Sequence, residues 1–195
     1  MIKPVTETPE KTFPKYPRNE AMRVITRVLS DQINIDQALE EIAGSLSGSD
    51  RAWVTEMASG VLRWKTRLDQ VIDAQALKKK PTGWLRKALQ MGAYQLLVQT
   101  RVIPAQIVSE TVDWVKKKEG EAPSQFANAC LRRISEQVDN WKSVKRPGDK
   151  TSFSDSAIWA GLPEWWYKKV SKERGHPWAL DFGVSTLERP KLWVR

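Results

Sequence analysis

The side chains that most often act as nucleophiles or general bases are rare in this sequence. It contains one cysteine, Cys130, and one histidine, His176, among 195 residues. Cys130 falls on the apolar stripe of its own predicted helix, which favours a core thiol over a nucleophile. His176 stands at a predicted helix start, which favours a capping or surface role. The glycine-rich phosphate loops GxGxxG and GxxxxGK[ST] do not occur. We therefore expect no catalytic residues, no metal site and no bound cofactor in this chain alone.

Positive charge is the clearer functional signal. Lys and Arg total 32 against 23 Asp and Glu, which gives a formal net charge of +9 and a pI near 9.7. Such a surplus favours partners that carry phosphate, either nucleic acid or an anionic membrane surface. Guanidinium groups pair with phosphate and stack on exposed bases, and several arginines are spaced four residues apart, on one helix face. The arginines predicted to bind RNA are Arg18, Arg23, Arg27, Arg63, Arg67 and Arg132.

Each of these arginines also has a simpler interpretation as solvated surface charge. Arg18 lies at a predicted helix start, where a cation opposes the helix dipole, so its position invites a functional explanation. Trp64 adjoins Arg63 and could stack on a base, but a core position is the favoured interpretation. Asn128 lies inside a predicted helix, where a buried hydrogen bond to a neighbouring loop would explain it. The sequence alone leaves these alternatives open.

The elements that must position these residues are helices. Apolar residues recur at the three- and four-residue spacing of amphipathic helices from residue 18 onward, and no strand is predicted before about residue 190. Six or seven helices with short connections predict a compact all-α bundle. Gly60 interrupts the third apolar stripe, which indicates either close helix packing or a break between two helices. No signal peptide and no apolar run of about 20 residues is present, so we expect a cytoplasmic protein that does not bind a membrane.

The last part of the chain differs in composition. Five of the ten tryptophans lie in the last 37 residues, and residues 192–194 (LWV) are β-prone although a lone strand has no partner. This pattern predicts a domain that has been cut. The predicted organisation is a flexible tail (1–17), an RNA-binding domain (18–140), a linker (141–154) and the truncated start of a further region (155–195).

Four motifs occur in an order that resembles one known family. They are GVLRW with LD (60–64, 68–69), LQMGAYQLL (89–97), IP followed by SETV (103–104, 109–112) and FANACLRRI (126–134). These resemble the NusB-like domain, in particular the version fused to Sun/RsmB-type 16S rRNA cytosine-C5 methyltransferases, in which a segment similar to LPEW (162–165) also precedes the catalytic part. The departures are Ser109, where the family usually has Asn, and Cys130, where it has an aliphatic residue.

The resemblance implies a NusB-like helical bundle, followed by a short Trp-rich helical extension, that binds 16S rRNA and positions it for a catalytic domain absent from this chain. In the family that domain uses S-adenosylmethionine and two cysteines, and the Trp-rich segment would contact it. The alternative is a NusB-like protein-interaction module in transcription antitermination, which would use the tryptophans to bind another protein. A third hypothesis, an active methyltransferase in this chain alone, is not expected.

Overall fold

The computed structural model describes residues 15–76, 79–99 and 102–189. Within them the chain forms ten helices and no strand, which confirms the all-α prediction. The helices are α1 (Lys15–Ser30), α2 (Ile35–Ala43), α3 (Gly48–Gln75), α4 (Gly83–Val98), α5 (Pro104–Glu119), α6 (Glu121–Glu136), α7 (Val138–Lys142), α8 (Phe153–Ala160), α9 (Glu164–Arg174) and α10 (His176–Leu187). The predicted strand at 192–194 and most of the predicted tail lie outside the described residues.

The chain divides into two compact units within the length of α3, residues 1–56 and residues 57–195. In the first unit α1 packs against α2, and the apolar stripe of α1 predicted from the sequence is buried at Ala21, Val24 and Ile25. Asn34 caps α2, since its side chain accepts a hydrogen bond from the Asp36 backbone N–H at 2.9 Å. Capping satisfies a donor that the first helical turn leaves without a backbone partner.

In the second unit α4 is the central helix. Its residues 88–97 are all buried, and the helix packs against both α5 and α6. The sequence offers the reason, because Gly92 presents no Cβ to its neighbours: a Cβ built there would lie 3.1 Å from Leu131 and 3.3 Å from Thr111. α4 and α5 are joined further along by an edge-to-face contact of Trp84 and Trp114, whose ring centroids are 4.6 Å apart.

Gly60 lies inside a continuous 28-residue helix, so the alternative of a helix break is wrong and close packing is confirmed. A Cβ at this position would lie 2.1 Å from Cζ of Tyr94, whose ring is 2% exposed. The missing side chain therefore lets α4 place an aromatic ring directly against the backbone of α3. This contact explains why glycine stands where helix propensity disfavours it.

The helices α8, α9 and α10 form a small core of their own. Ala157, Tyr167 and Leu180 are buried in it, and Trp159, Trp166 and Phe182 pack against its edge. Turns at Gly161 and Gly175, both with positive φ, separate the three helices. The Trp-rich extension is thus helical, as predicted. None of the described helices is long and apolar enough to cross a membrane.

Candidate nucleic-acid interface

Arg23 and Arg27 of α1 lie beside carboxylates. Arg23 is 63% exposed and contacts Glu20 at 2.6 Å, one turn earlier on the same helix. Arg27 lies 3.1 Å from Asp31 and 3.0 Å from Glu41, which belongs to α2. Arg18 is half-buried at the start of the helix. The partners of Arg27 are exposed, and such surface ion pairs contribute about 0–1 kcal/mol, so a phosphate can displace these carboxylates at small cost. Glu20 is less accessible, with 16% of its side chain exposed.

Two further arginines of the predicted set have no carboxylate partner in the described part of the chain. Arg63 is half-buried on α3, and Arg132 is exposed on α6. Arg132 borders an open groove of about 720 Å³ that is lined by residues of α5 and α6, among them Ser109 and Asn128. Asp113 and Glu136 also line this groove, so its charge is mixed. Its polar groups could pair with base edges, while Arg132 offers the charge for a phosphate.

Asn128 does not make the buried loop contact that would have explained it. Its side chain is half-buried, lines the groove of α5 and α6, and has no hydrogen bond among the residues that the structure describes. Asparagine has a low helix propensity, and here no hydrogen bond of its side chain offsets that cost. The groove therefore exposes an amide with both donors and its acceptor available.

Arg67 contacts the interior of the protein. Its guanidinium carbon lies 5.3 Å from the ring centroid of Trp64 and 5.5 Å from that of Trp159, and its Nη2 donates to the Trp159 carbonyl oxygen. Burial lowers the pKa of the Arg67 guanidinium below its ordinary value. Trp64 completes the contact by donating from Nε1 to the Leu187 carbonyl oxygen at 3.1 Å. Arg67 and Trp64 thus join α3 to the C-terminal helices, a role that the four-residue spacing of the arginines did not indicate.

Asp69, the last residue of the LD motif, organises a network that the sequence analysis missed. Arg86 donates to it from Nε at 2.8 Å and Gln90 from Nε2 at 2.6 Å, while Lys65 contacts its other oxygen at 2.6 Å. Arg86 also donates to Asp73 at 2.9 Å. The network joins α3 to α4, so the charged residues of this motif are accounted for by helix packing.

Acidification should destabilise this network through Asp73. Burial alone would raise the pKa of Asp73, but hydrogen bonds and positive charge from Arg86 and Lys80 outweigh it, so the pKa lies below its ordinary value. A carboxyl whose pKa is lowered by folding contributes stability above its unfolded pKa, and that contribution is lost as the pH falls through the folded pKa.

Urea unfolding at pH 7 and pH 3 should show a smaller acid-induced loss of stability for Asp73→Asn than for the wild type. The matched control is Asp149→Asn, at an exposed aspartate that makes no ion pair within the described residues; an acid-induced loss in Asp73→Asn equal to that of the control would contradict the assignment.

The two residues able to do covalent chemistry are structural. Cys130 is 2% exposed, and burial raises the pKa of its thiol to about 12, which leaves it protonated and unreactive at neutral pH. His176 begins α10, and its Nδ1 lies 2.7 Å from the hydroxyl of the buried Tyr167. The predicted core thiol is confirmed. The capping or surface role predicted for His176 is wrong, because its ring is half-buried, makes no cap hydrogen bond and contacts Tyr167 of α9. Among the described residues, no group of three or more His, Cys, Asp and Glu side chains could hold a metal ion.

This fold, with its cationic helices, defines an all-α helical-bundle protein. A sequence profile described as the NusB family matches residues 15–136, which is more than half of the chain. The chain belongs to the NusB family.

Comparison with curated proteins finds relatives that are longer than this chain. The chain is 25% identical over 181 residues to the ribosomal RNA small subunit methyltransferase B of Escherichia coli O1:K1 / APEC, and the match covers 91% of this chain and 40% of that protein. Proteins of the same name from Escherichia coli O7:K1 and Escherichia fergusonii are 24% identical with the same coverage. The chain therefore spans about two fifths of the length of the relatives it matches.

A solved structure shares the fold. The crystal structure of PH0851 matches this chain with a TM-score of 0.51 at 15% sequence identity, covering 89% of this chain and 39% of that one. At this identity the match bears on architecture alone. The NusB family match ends at residue 136, whereas the structural match covers 89% of the chain. The shared architecture therefore includes part of the C-terminal helices.

Proposed function

We propose that this chain is the RNA-binding domain of a 16S rRNA cytosine-C5 methyltransferase, which positions rRNA for a catalytic domain outside these 195 residues. The observation that carries the proposal is the match of almost the whole chain to one part of proteins named ribosomal RNA small subunit methyltransferase B. The NusB family match covers the helices that bear the predicted arginines. Methyl transfer from S-adenosylmethionine would be the work of the other part of such a protein.

The charges of the described residues fit a single-stranded or looped RNA. Arg27 contacts two exposed carboxylates and Arg23 contacts one half-buried carboxylate, while Arg63 and Arg132 have no carboxylate partner within the described ranges. Arginine pairs with phosphate in a bidentate geometry and also stacks on unpaired bases, so such groups suit an unfolded RNA segment. Because Arg67 makes internal contacts, we assign it to the structure of the site rather than to the phosphates.

Removing Arg23 and Arg27 of α1 should change how RNA affinity depends on salt. Each phosphate contact contributes about 0.7 to the slope of log affinity against log salt for single strands, so Arg23→Ala with Arg27→Ala should flatten the slope by about 1.4. The measurement is fluorescence anisotropy with a labelled single-stranded RNA at several salt concentrations, with circular dichroism to confirm the helical fold.

A matched control removes the same charge elsewhere. Lys117 and Lys118 are exposed at the end of α5 and are not part of the predicted site. Their double alanine variant should leave the slope within about 0.3 of the wild type, because a cation that contacts no phosphate releases no counterion. If both variants flatten the slope equally, the binding reflects net charge and not a site on α1.

A further inference from the structure

The helix α9 carries an aromatic and cationic face that the NusB match does not include. Trp165 is 69% exposed, the largest exposure among the large hydrophobic side chains of the described residues. Lys168, Lys169 and Lys172 follow it at three, four and seven positions, and all are exposed. Since each residue turns a helix by 100°, these four side chains fall within a sector about 100° wide, in a row about 10.5 Å long.

The charge on this face is concentrated. The four cations of residues 153–187 are all on α9, while the four acidic residues of that stretch are spread over three helices. Lys168 contacts Glu164 at 2.5 Å in an exposed pair. Lys169 and Lys172 have no ion pair with any residue that the structure describes. A phosphate that binds along this row would displace only the carboxylate of Glu164 from Lys168, and no ion-pair partner from Lys169 or Lys172.

The tryptophan is not required by the packing of its own helices. Tyr167 and Val170 bury the opposite side of α9, and Trp166 packs in a tilted arrangement against Phe182 with ring centroids 5.1 Å apart. Trp165 takes part in no ring contact among the described residues. A tryptophan that is exposed beside lysines presents an open π-face to a base and ammonium groups to the flanking phosphates, the combination by which proteins bind single-stranded nucleic acid.

We propose that the face formed by Trp165, Lys168, Lys169 and Lys172 binds single-stranded RNA, with Trp165 stacking on an unpaired base and the lysines contacting the adjacent phosphates. The site is separate from the arginines of the NusB domain and lies in the C-terminal helices. It rests on the proposed function in that its ligand is the same class of RNA. It would extend the track of an RNA strand beyond the NusB domain.

The test uses the full 195-residue chain and a fluorescein-labelled uridine decamer. Trp165→Ala should weaken binding about tenfold, within the range measured for loss of one base–aromatic stack. Trp165→Phe should recover most of the loss, because phenylalanine keeps a stacking face. Lys169→Ala with Lys172→Ala should flatten the salt slope by about 1.4. Phe153→Ala, which removes an aromatic residue that is 49% exposed on α8, is the control and should bind as the wild type does.

A second probe separates stacking from charge. On a decamer whose bases are all removed, Trp165→Ala and the wild type should bind equally, because no base remains to stack. Equal affinity of the two proteins for the uridine decamer, or an equal loss on both probes, would overturn the proposal. A change only in self-association would identify the face as a protein contact and would also overturn it. If the α9 variants bind as the wild type does while Arg23→Ala with Arg27→Ala flattens the salt slope, the proposed function stands and this face is not a binding site. If only the arginine variant leaves the slope unchanged, the result counts against the proposed function and not against this face.

Discussion

Replacing Arg67 by alanine should lower the free energy of unfolding by about 3 kcal/mol. The guanidinium lies between Trp64 and Trp159 and donates to a carbonyl oxygen, so its removal abolishes two cation–π contacts and leaves that oxygen without its donor. Cation–π contacts contribute about 0.5–2 kcal/mol each, and hydrogen bonds from charged groups about 1.5–3 kcal/mol. Because the two cation–π contacts and the hydrogen bond involve one guanidinium group, their energies are not independent, and the estimate of about 3 kcal/mol lies near the lower end of their sum. Urea denaturation followed by tryptophan fluorescence and circular dichroism measures the change.

The same helix offers a matched control for Arg67. Arg63 lies one turn earlier and makes no ion pair in the part of the chain that the structure describes. Arg63→Ala should change stability by less than about 1 kcal/mol, because this half-buried side chain has no ion pair to lose, while it flattens the salt slope of RNA binding by about 0.7. If Arg67→Ala instead keeps the wild-type stability and flattens the salt slope of RNA binding, Arg67 contacts the RNA and its structural assignment is contradicted.

Gly60→Ala should destabilise the protein although alanine is the better helix former. The added methyl would meet the Tyr94 ring at 2.1 Å, far inside van der Waals contact, and this ring is 2% exposed and cannot leave the core without displacing its neighbours. Overpacking of a core costs about 1–3 kcal/mol, against which the helix gains about 1 kcal/mol from the loss of glycine. Because the 2.1 Å approach is severe, we take the overpacking cost at the upper end of its range and expect a net loss near 2 kcal/mol. This corresponds to a fall in Tm of about 4–8 °C for a chain of this length.

Gly48 provides the comparison for this prediction, because a Cβ built there has no atom within 4 Å. Gly48→Ala should leave the Tm within about 2 °C of the wild type, since the first residue of a helix gains less from alanine than an interior one. A Gly60→Ala protein that melts at or above the wild-type temperature would show that α3 and α4 are not packed as closely as described.

Helical periodicity and the glycines predicted much of the fold. Asn34 caps α2, and the two signals for this cap, its residue type and its place before an apolar stripe, are both local. The start of α3 is less clear from the sequence, because Ser47, Ser49 and Asp50 all precede its apolar stripe; the helix begins at Gly48, and Ser47 accepts from the Asp50 N–H at 3.3 Å. Several polar residues can cap one helix, so sequence alone does not choose between them.

The role of Arg67 could not be predicted, because its partner comes from the far end of the chain. Trp159 is 92 residues away from it, and nothing in the local pattern distinguishes an arginine that will be covered by a later helix from one that stays in solvent. Arg86 and Gln90 likewise reach Asp69 from 17 and 21 residues further along. Local spacing predicts the face on which a side chain lies, and tertiary packing decides whether that face is occupied.

The exposed tryptophan of α9 was partly visible in the sequence. Five of the ten tryptophans lie in the last 37 residues, and the described ones differ in burial: Trp159 and Trp166 pack against a core, while Trp165 is 69% exposed. Helical spacing could have placed Trp165 with Lys168, Lys169 and Lys172 had the bounds of α9 been known. This is why a site of RNA contact is proposed there only from the structure.

The central claim, that this NusB-family chain binds single-stranded RNA through its arginines, is tested most directly by the salt dependence of the wild-type affinity. If the five predicted arginines other than Arg67 each contact one phosphate, a plot of log affinity for an unstructured RNA against log salt should fall with a slope of about 3.5. The slope should be steeper if the lysines of α9 also contact phosphates. A slope close to zero, or no measurable binding at low salt, would contradict the claim.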